Sequence, residues 1–136
     1  MARILCIDYG GKRTGLAVTD PLQIIASALM TIETKDLMAF LKTYCRDEQV
    51  ELILIGEPKN WDDSDTHATP LVAAFIKKLQ KELPMVPIKK VDERYTSRMA
   101  TMAMVEMGMK KKDRRVKGNV DQIAATIMLQ EYLNNR

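Results

Sequence analysis

The stretch that most constrains this chain is Arg3-Ile-Leu-Cys-Ile-Asp8-Tyr9-Gly10-Gly11-Lys12-Arg13-Thr14-Gly15, an apolar run stopped by a carboxylate and then by glycines and cations. Ile4, Leu5 and Ile7 read as a buried strand. Gly10 and Gly11 permit a tight reversal, because glycine accepts positive φ without penalty. Leu16-Ala17-Val18 then resumes as a second strand, so the pair forms a hairpin with Asp8 at its mouth. A carboxylate at the end of a buried strand needs hydrogen bonds or a cation, since burial unpaired is too costly. Stabilising the turn is the other reading of Asp8 taken alone.

The rest of the chain alternates strands and helices. The second strand runs over 14–19 and ends at the Asp20-Pro21 turn signal, and residues 24–32 read as a third strand. Thr34 is placed to cap a helix over 35–47, with Leu37, Met38, Leu41 and Cys45 at helical spacing. Leu52-Ile-Leu-Ile55 is a continuous apolar run closed by Gly56, as expected of a strand covered on both faces. Residues 58–69 are polar and turn-rich. A second helix follows over 70–83, stopped by Pro84 and Pro87, and 88–91 reads as a short, edge-like strand. Thr96 or Ser97 starts a third helix ending before Gly108. Asn119 is the expected cap of a last helix over 120–133. The order predicts one α/β domain, 1–136, with a three-layer α/β/α arrangement. Its five-stranded mixed sheet has the first three strands antiparallel.

Three acids stand at element boundaries. Asp8 closes the first strand, Glu93 follows the last, and Asp121 falls in the first turn of the last helix, in line with Ala125, Met128 and Tyr132. Ala124 and Ala125 allow that helix to approach the strand carrying Asp8. Glu57 ends the fourth strand, at the same edge as Asp8 and Glu93. That is the edge where open α/β sheets place their reactive crevice. Taken singly, a helix cap explains Asp121 and an ion pair with Arg94 or a neighbouring lysine explains Glu93; their joint placement favours a site. With one histidine, two cysteines and no paired thiols, zinc has no ligand set. Converging carboxylates suit Mg²⁺ or Mn²⁺, as one or two ions.

Charge points the same way. The net charge is only +3. However, Lys110-Lys111-Lys112-Asp113-Arg114-Arg115-Val116-Lys117 holds six cations and one acid, leaving 15 cations against 17 acids elsewhere. A basic segment on a slightly acidic body suits a localised anionic partner such as a phosphate backbone, although a solvated loop is the ordinary alternative. No apolar run approaches the ~20 residues of a membrane span, and the N-terminus has no signal-peptide core. Cys6 and Cys45 read as reduced and buried, which fits the cytoplasm. Methionines at 99, 102, 104, 107 and 109 read as packing, and Trp61 and Tyr95 are weak candidates for base stacking.

Asp8-Tyr-Gly-x-Lys12-Arg13-x-Gly15, Gly56-x-Pro58-x-Asn60, Asp92-Glu93-Arg94-x-Thr96 and Val120-Asp121-x-x-Ala124-Ala125-x-x-Met128-Leu129-Gln130-x-Tyr132-Leu133 together resemble the YqgF-type family. Its members are described as resolvases of Holliday junctions and as nucleases processing the 5′ end of pre-16S ribosomal RNA. The resemblance spans essentially the whole chain. It implies a ribonuclease-H-like fold and a metal-dependent phosphodiesterase whose acidic site maps onto Asp8, Glu93 and Asp121. Two departures stand out. Position 57, usually apolar in the family, is Glu57, a candidate fourth ligand or supporting base. The loop after Asn60 carries Asp62-Asp63-Ser64 where the family usually has glycine before serine.

The resulting expectation is a cytoplasmic nuclease acting on structured nucleic acid, with precursor rRNA ahead of branched DNA. Lys12, Arg13, Asn60, Arg94 and Thr96 would contact nucleic acid near the cut. Lys110, Lys111, Lys112, Arg114, Arg115 and Lys117 would grip the backbone farther away. Ribosomal assembly intermediates are candidate partners, and the chain is expected to be a monomer or weak homodimer. The competing readings are a Holliday junction resolvase, a non-catalytic nucleic-acid-binding factor, and an actin-like ATPase, for which the chain is too short to supply a second lobe.

Overall fold

The structure, a computed structural model, describes residues 2–57, 69–92 and 117–136. Strands β1 (Arg3–Asp8), β2 (Arg13–Thr19) and β3 (Ala26–Glu33) precede helix α1 (Thr34–Asp47). Strand β4 (Val50–Glu57), helix α2 (Thr69–Glu82), strand β5 (Ile88–Asp92) and helix α3 (Lys117–Asn135) follow. The five strands form one mixed sheet in the order β3-β2-β1-β4-β5. The β1–β2 and β2–β3 pairs are antiparallel, whereas β1–β4 and β4–β5 are parallel. This is the five-stranded arrangement expected from the sequence. The expected helix over 96–107 lies outside the described residues.

Strand alternation divides the core into two faces. Leu5, Ile7, Leu16, Ile53 and Ile55 meet Leu37 and Leu41 of α1 and Val72, Phe75 and Leu79 of α2. Ile4, Cys6, Ala17 and Leu54 meet Ala125, Met128 and Leu129 of α3. Helices therefore cover both faces, as a sheet apolar on both sides requires. Most of these side chains are fully buried, each worth about 1.5–3 kcal/mol for a Leu or Ile. At one sheet edge, β5 carries Lys89 and Lys90, charges that discourage strand addition.

Four local expectations change. Residues Ile24 and Ile25 lie before β3 and are largely exposed, in a turn that Asp20 organises by accepting hydrogen bonds from the Leu22, Ile24 and Ile25 N–H groups. Thr34 does not cap α1: Glu33 holds the cap position without a side-chain bond, and the Thr34 hydroxyl is used elsewhere. Asn119 does not cap α3 either, because the helix already starts at Lys117. Asp121 is consequently the fifth residue of α3, beyond the first turn and its strongest dipole field. Finally, Cys45 is half-buried rather than buried, and both cysteines are free thiols.

Candidate active site at the carboxyl edge of the sheet

Since β1, β4 and β5 are parallel, Asp8, Glu57 and Asp92 end their strands at the same edge. The turn after Asp8 is held by hydrogen bonds to the start of α1. The Thr34 N–H donates to the Lys12 carbonyl at 2.9 Å, and the Thr34 hydroxyl donates to the Gly10 carbonyl at 2.5 Å. The Thr14 hydroxyl, fully buried, donates in turn to Thr34 Oγ1 at 2.9 Å and accepts a long bond from the Gly10 N–H. These contacts fix the turn that follows the carboxylate. Gly10 is needed for close approach: a Cβ there would collide with the Arg13 carbonyl oxygen. A Cβ on Gly11 would meet only Leu71 Cδ1, at an ordinary 3.9 Å. The expectation of two glycines chosen for positive φ is thus replaced by one glycine required by space.

The register defines what surrounds Asp8. Its position in the strand alternation is that of Ile4 and Cys6, the face covered by α3. Its partner across β2 is Gly15. On the other side, one step beyond the Ile7–Ile55 pair, Asp8 is level with Gly56, which pairs in turn with Val91. Both cross-strand neighbours of Asp8 therefore lack a side chain, and both are buried. The helix covering this face contributes Ala124 and Ala125, which are almost fully buried. No side chain from either neighbouring strand therefore crowds the position of the carboxylate. The amino-acid sequence alone carries no signal for this pairing of Asp8 between two glycines, which depends on the strand register.

The other candidates fall into distinct places. Asp121 belongs to α3, four residues before Ala125, which packs against the sheet on the Asp8 face. Glu57 ends β4, paired with Asp92 of β5. Arg13 opens β2 in line with Gly15 and Ala17, on the Asp8 face, and its buried Nε has no hydrogen-bond partner among the described residues. Lys12 is exposed in the turn, and Lys117 opens α3. Glu93, Asn60, Arg94, Thr96, Lys110, Lys111, Lys112, Arg114 and Arg115 lie outside the described residues, as do Trp61, Tyr95 and the five methionines. Among the described residues, no three His, Cys, Asp or Glu side chains cluster as a metal site, and no helix is long and apolar enough to cross a membrane.

Comparisons with known proteins agree with this architecture. A family model described as "RuvX: Holliday junction resolvase" matches residues 2–135. A protein of Christiangramia forsetii named "Putative pre-16S rRNA nuclease" is 50% identical over 133 residues, covering 98% of each chain. One of Flavobacterium psychrophilum with the same name is 49% identical over 136 residues, covering 100% of this chain and 99% of the relative. Among solved structures, T. thermophilus RuvC in complex with a Holliday junction substrate superposes with a TM-score of 0.56 at 14% identity. That match covers 99% of this chain and 98% of the RuvC chain, and it shows a shared fold. Matched by the family model over nearly its whole length and by relatives at about half identity, the chain belongs to the RuvX (Holliday junction resolvase) family, a family of nucleases that hydrolyse phosphodiester bonds.

Proposed function

We propose that this protein is a divalent-metal-dependent nuclease that processes the 5′ end of precursor 16S rRNA, and that Asp8, Glu93 and Asp121 form its acidic site. The observation that carries the reading is the placement of Asp8: a carboxylate at the carboxyl edge, flanked by Gly15 and Gly56, on the face covered by the helix that bears Asp121. Val91, two residues before Glu93, packs on that same face. An all-oxygen donor set of this kind fits Mg²⁺ or Mn²⁺, and side-chain-free neighbours suit an ion with its waters. When bound, one or two such ions supply charge stabilisation for the attacking and leaving oxygens of a phosphodiester displacement. Glu57, which ends β4 at the same edge, is a candidate further ligand.

The protein's own residues orient the substrate. Arg13, at the start of β2 on the Asp8 face, holds a phosphate through its guanidinium, and Lys12 and Arg94 add charge beside the cut. The 110–117 segment holds the backbone without reading sequence, so affinity is salt-sensitive. We place this activity in one domain, 1–136, working in the cytoplasm on ribosomal assembly intermediates as a monomer or weak homodimer. The names of the relatives favour rRNA, and the family's description makes a four-way DNA junction the competing substrate. The test is a cleavage assay on both substrates, with Mg²⁺ and with chelator. Mg²⁺-dependent trimming of precursor 16S rRNA in preference to the junction supports the proposal. Preferential junction cutting overturns the substrate, and equal cutting in chelator overturns the metal.

A further inference from the structure

Tyr9, the residue after Asp8, takes the opposite face and opens a cleft of about 290 Å³ between the starts of α1 and α2. Its ring stacks on Phe75, centroids 4.7 Å apart and planes inclined by 27°, so Phe75 supports the ring from behind. Met38 and Ala74 line the cleft, and Lys35 and Lys78 stand on it. Lys35 forms an exposed ion pair with Glu33 at 3.2 Å. We infer that this cleft receives a nucleobase of the substrate strand next to the reacting phosphate, stacked on Tyr9, with the adjoining phosphate held by Lys35 and Lys78. The inference rests on the nuclease reading above and adds where the strand runs: over the carboxyl edge, from the Asp8 face, past the Gly10–Gly11 turn, into the α1/α2 cleft.

Three observations support this occupant. A rigidly backed aromatic ring beside two cations is the combination that binds single-stranded nucleic acid, because every base offers a π-face and every nucleotide a phosphate. The volume lies at the lower end of small-molecule sites, enough for one planar base and too small for a duplex. Both α1 and α2 begin at this edge, so their positive dipole ends reinforce the lysines toward an anion.

The test measures binding of a short single-stranded RNA in chelator, so that no cleavage intervenes, to the wild type, Lys78→Glu and Ala74→Trp. Ala74→Trp fills the cleft without changing charge, and thermal melting of both variants checks the fold. Both are expected to weaken binding by about tenfold, the loss of one stacked base. The same RNA carrying 2-aminopurine at successive positions should show fluorescence quenching at one position, abolished by Ala74→Trp. Wild-type affinity in folded Ala74→Trp, or no position-specific quenching, overturns the inference. Weakening by Lys78→Glu alone assigns the lysine to general charge attraction and likewise overturns the stacked base. Failure here leaves loss of cleavage by Asp8→Asn untouched, whereas undiminished cleavage by Asp8→Asn refutes the catalytic reading and not the cleft.

Discussion

Gly10→Ala, set against Gly11→Ala, isolates the turn that positions Asp8. The added methyl at position 10 would overlap the Arg13 carbonyl oxygen by roughly 1 Å beyond what van der Waals contact allows. Backbone cannot yield as a flexible side chain does, so the turn must open. Opening it stretches the bonds from Thr34 to the Gly10 and Lys12 carbonyls, 2.5 and 2.9 Å long. Two such bonds at about 1 kcal/mol net each, with some residual strain, give a loss of about 2–3 kcal/mol. In urea this lowers the unfolding midpoint by about 0.7–3 M, given a slope of about 1–3 kcal/mol/M. Gly11→Ala meets only Leu71 Cδ1 at 3.9 Å and should stay within about 0.5 kcal/mol of wild type. Cleavage should fall by about a hundredfold in Gly10→Ala, because Asp8 sits two residues from a displaced backbone. Equal midpoints for the two variants would refute the steric account of this turn.

Asp8→Asn should keep the fold and RNA binding yet lose about three orders of magnitude in cleavage, as several kcal/mol of missing charge stabilisation implies; gel-based cleavage and anisotropy check both halves. Asp20 accepts N–H bonds from Ile25, Ile24 and Leu22, which hold its carboxyl below the usual range. Because the folded value is depressed, the stability Asp20 adds is complete above the unfolded carboxyl pKa and is lost as pH falls through the lower folded value. The melting-temperature margin of wild type over Asp20→Ala should therefore shrink on acidification below about pH 4, and a constant margin would contradict it. Replacing the six cations of 110–117 with Gln should reduce the slope of log affinity against log salt by roughly 4–5.

The hydrophobic patterning made the sheet legible. Continuous apolar runs at 4–7 and 52–55 marked strands covered on both sides, and the buried residues of β1 and β4 sit on two faces in strict alternation. The carboxyl-edge location of Asp8 followed from that order. What the sequence did not reveal depends on contacts between distant segments. Thr34 reads as a helix cap locally, but its hydroxyl serves the Gly10 carbonyl 24 residues earlier. Asn119 reads as a cap, but α3 begins two residues sooner and so carries Asp121 past the first turn. The flanking of Asp8 by Gly15 and Gly56 required the pairing register, because neither glycine is near the other in the chain.

The most direct measurement is Mn²⁺ binding followed by electron paramagnetic resonance, in which bound ion disappears from the free-ion signal. The wild type should take up one or two ions per chain, and Asp8→Asn, Glu93→Gln and Asp121→Asn should each weaken that uptake while remaining folded. Uptake equal to wild type in all three variants would contradict an acidic site built from residues 8, 93 and 121.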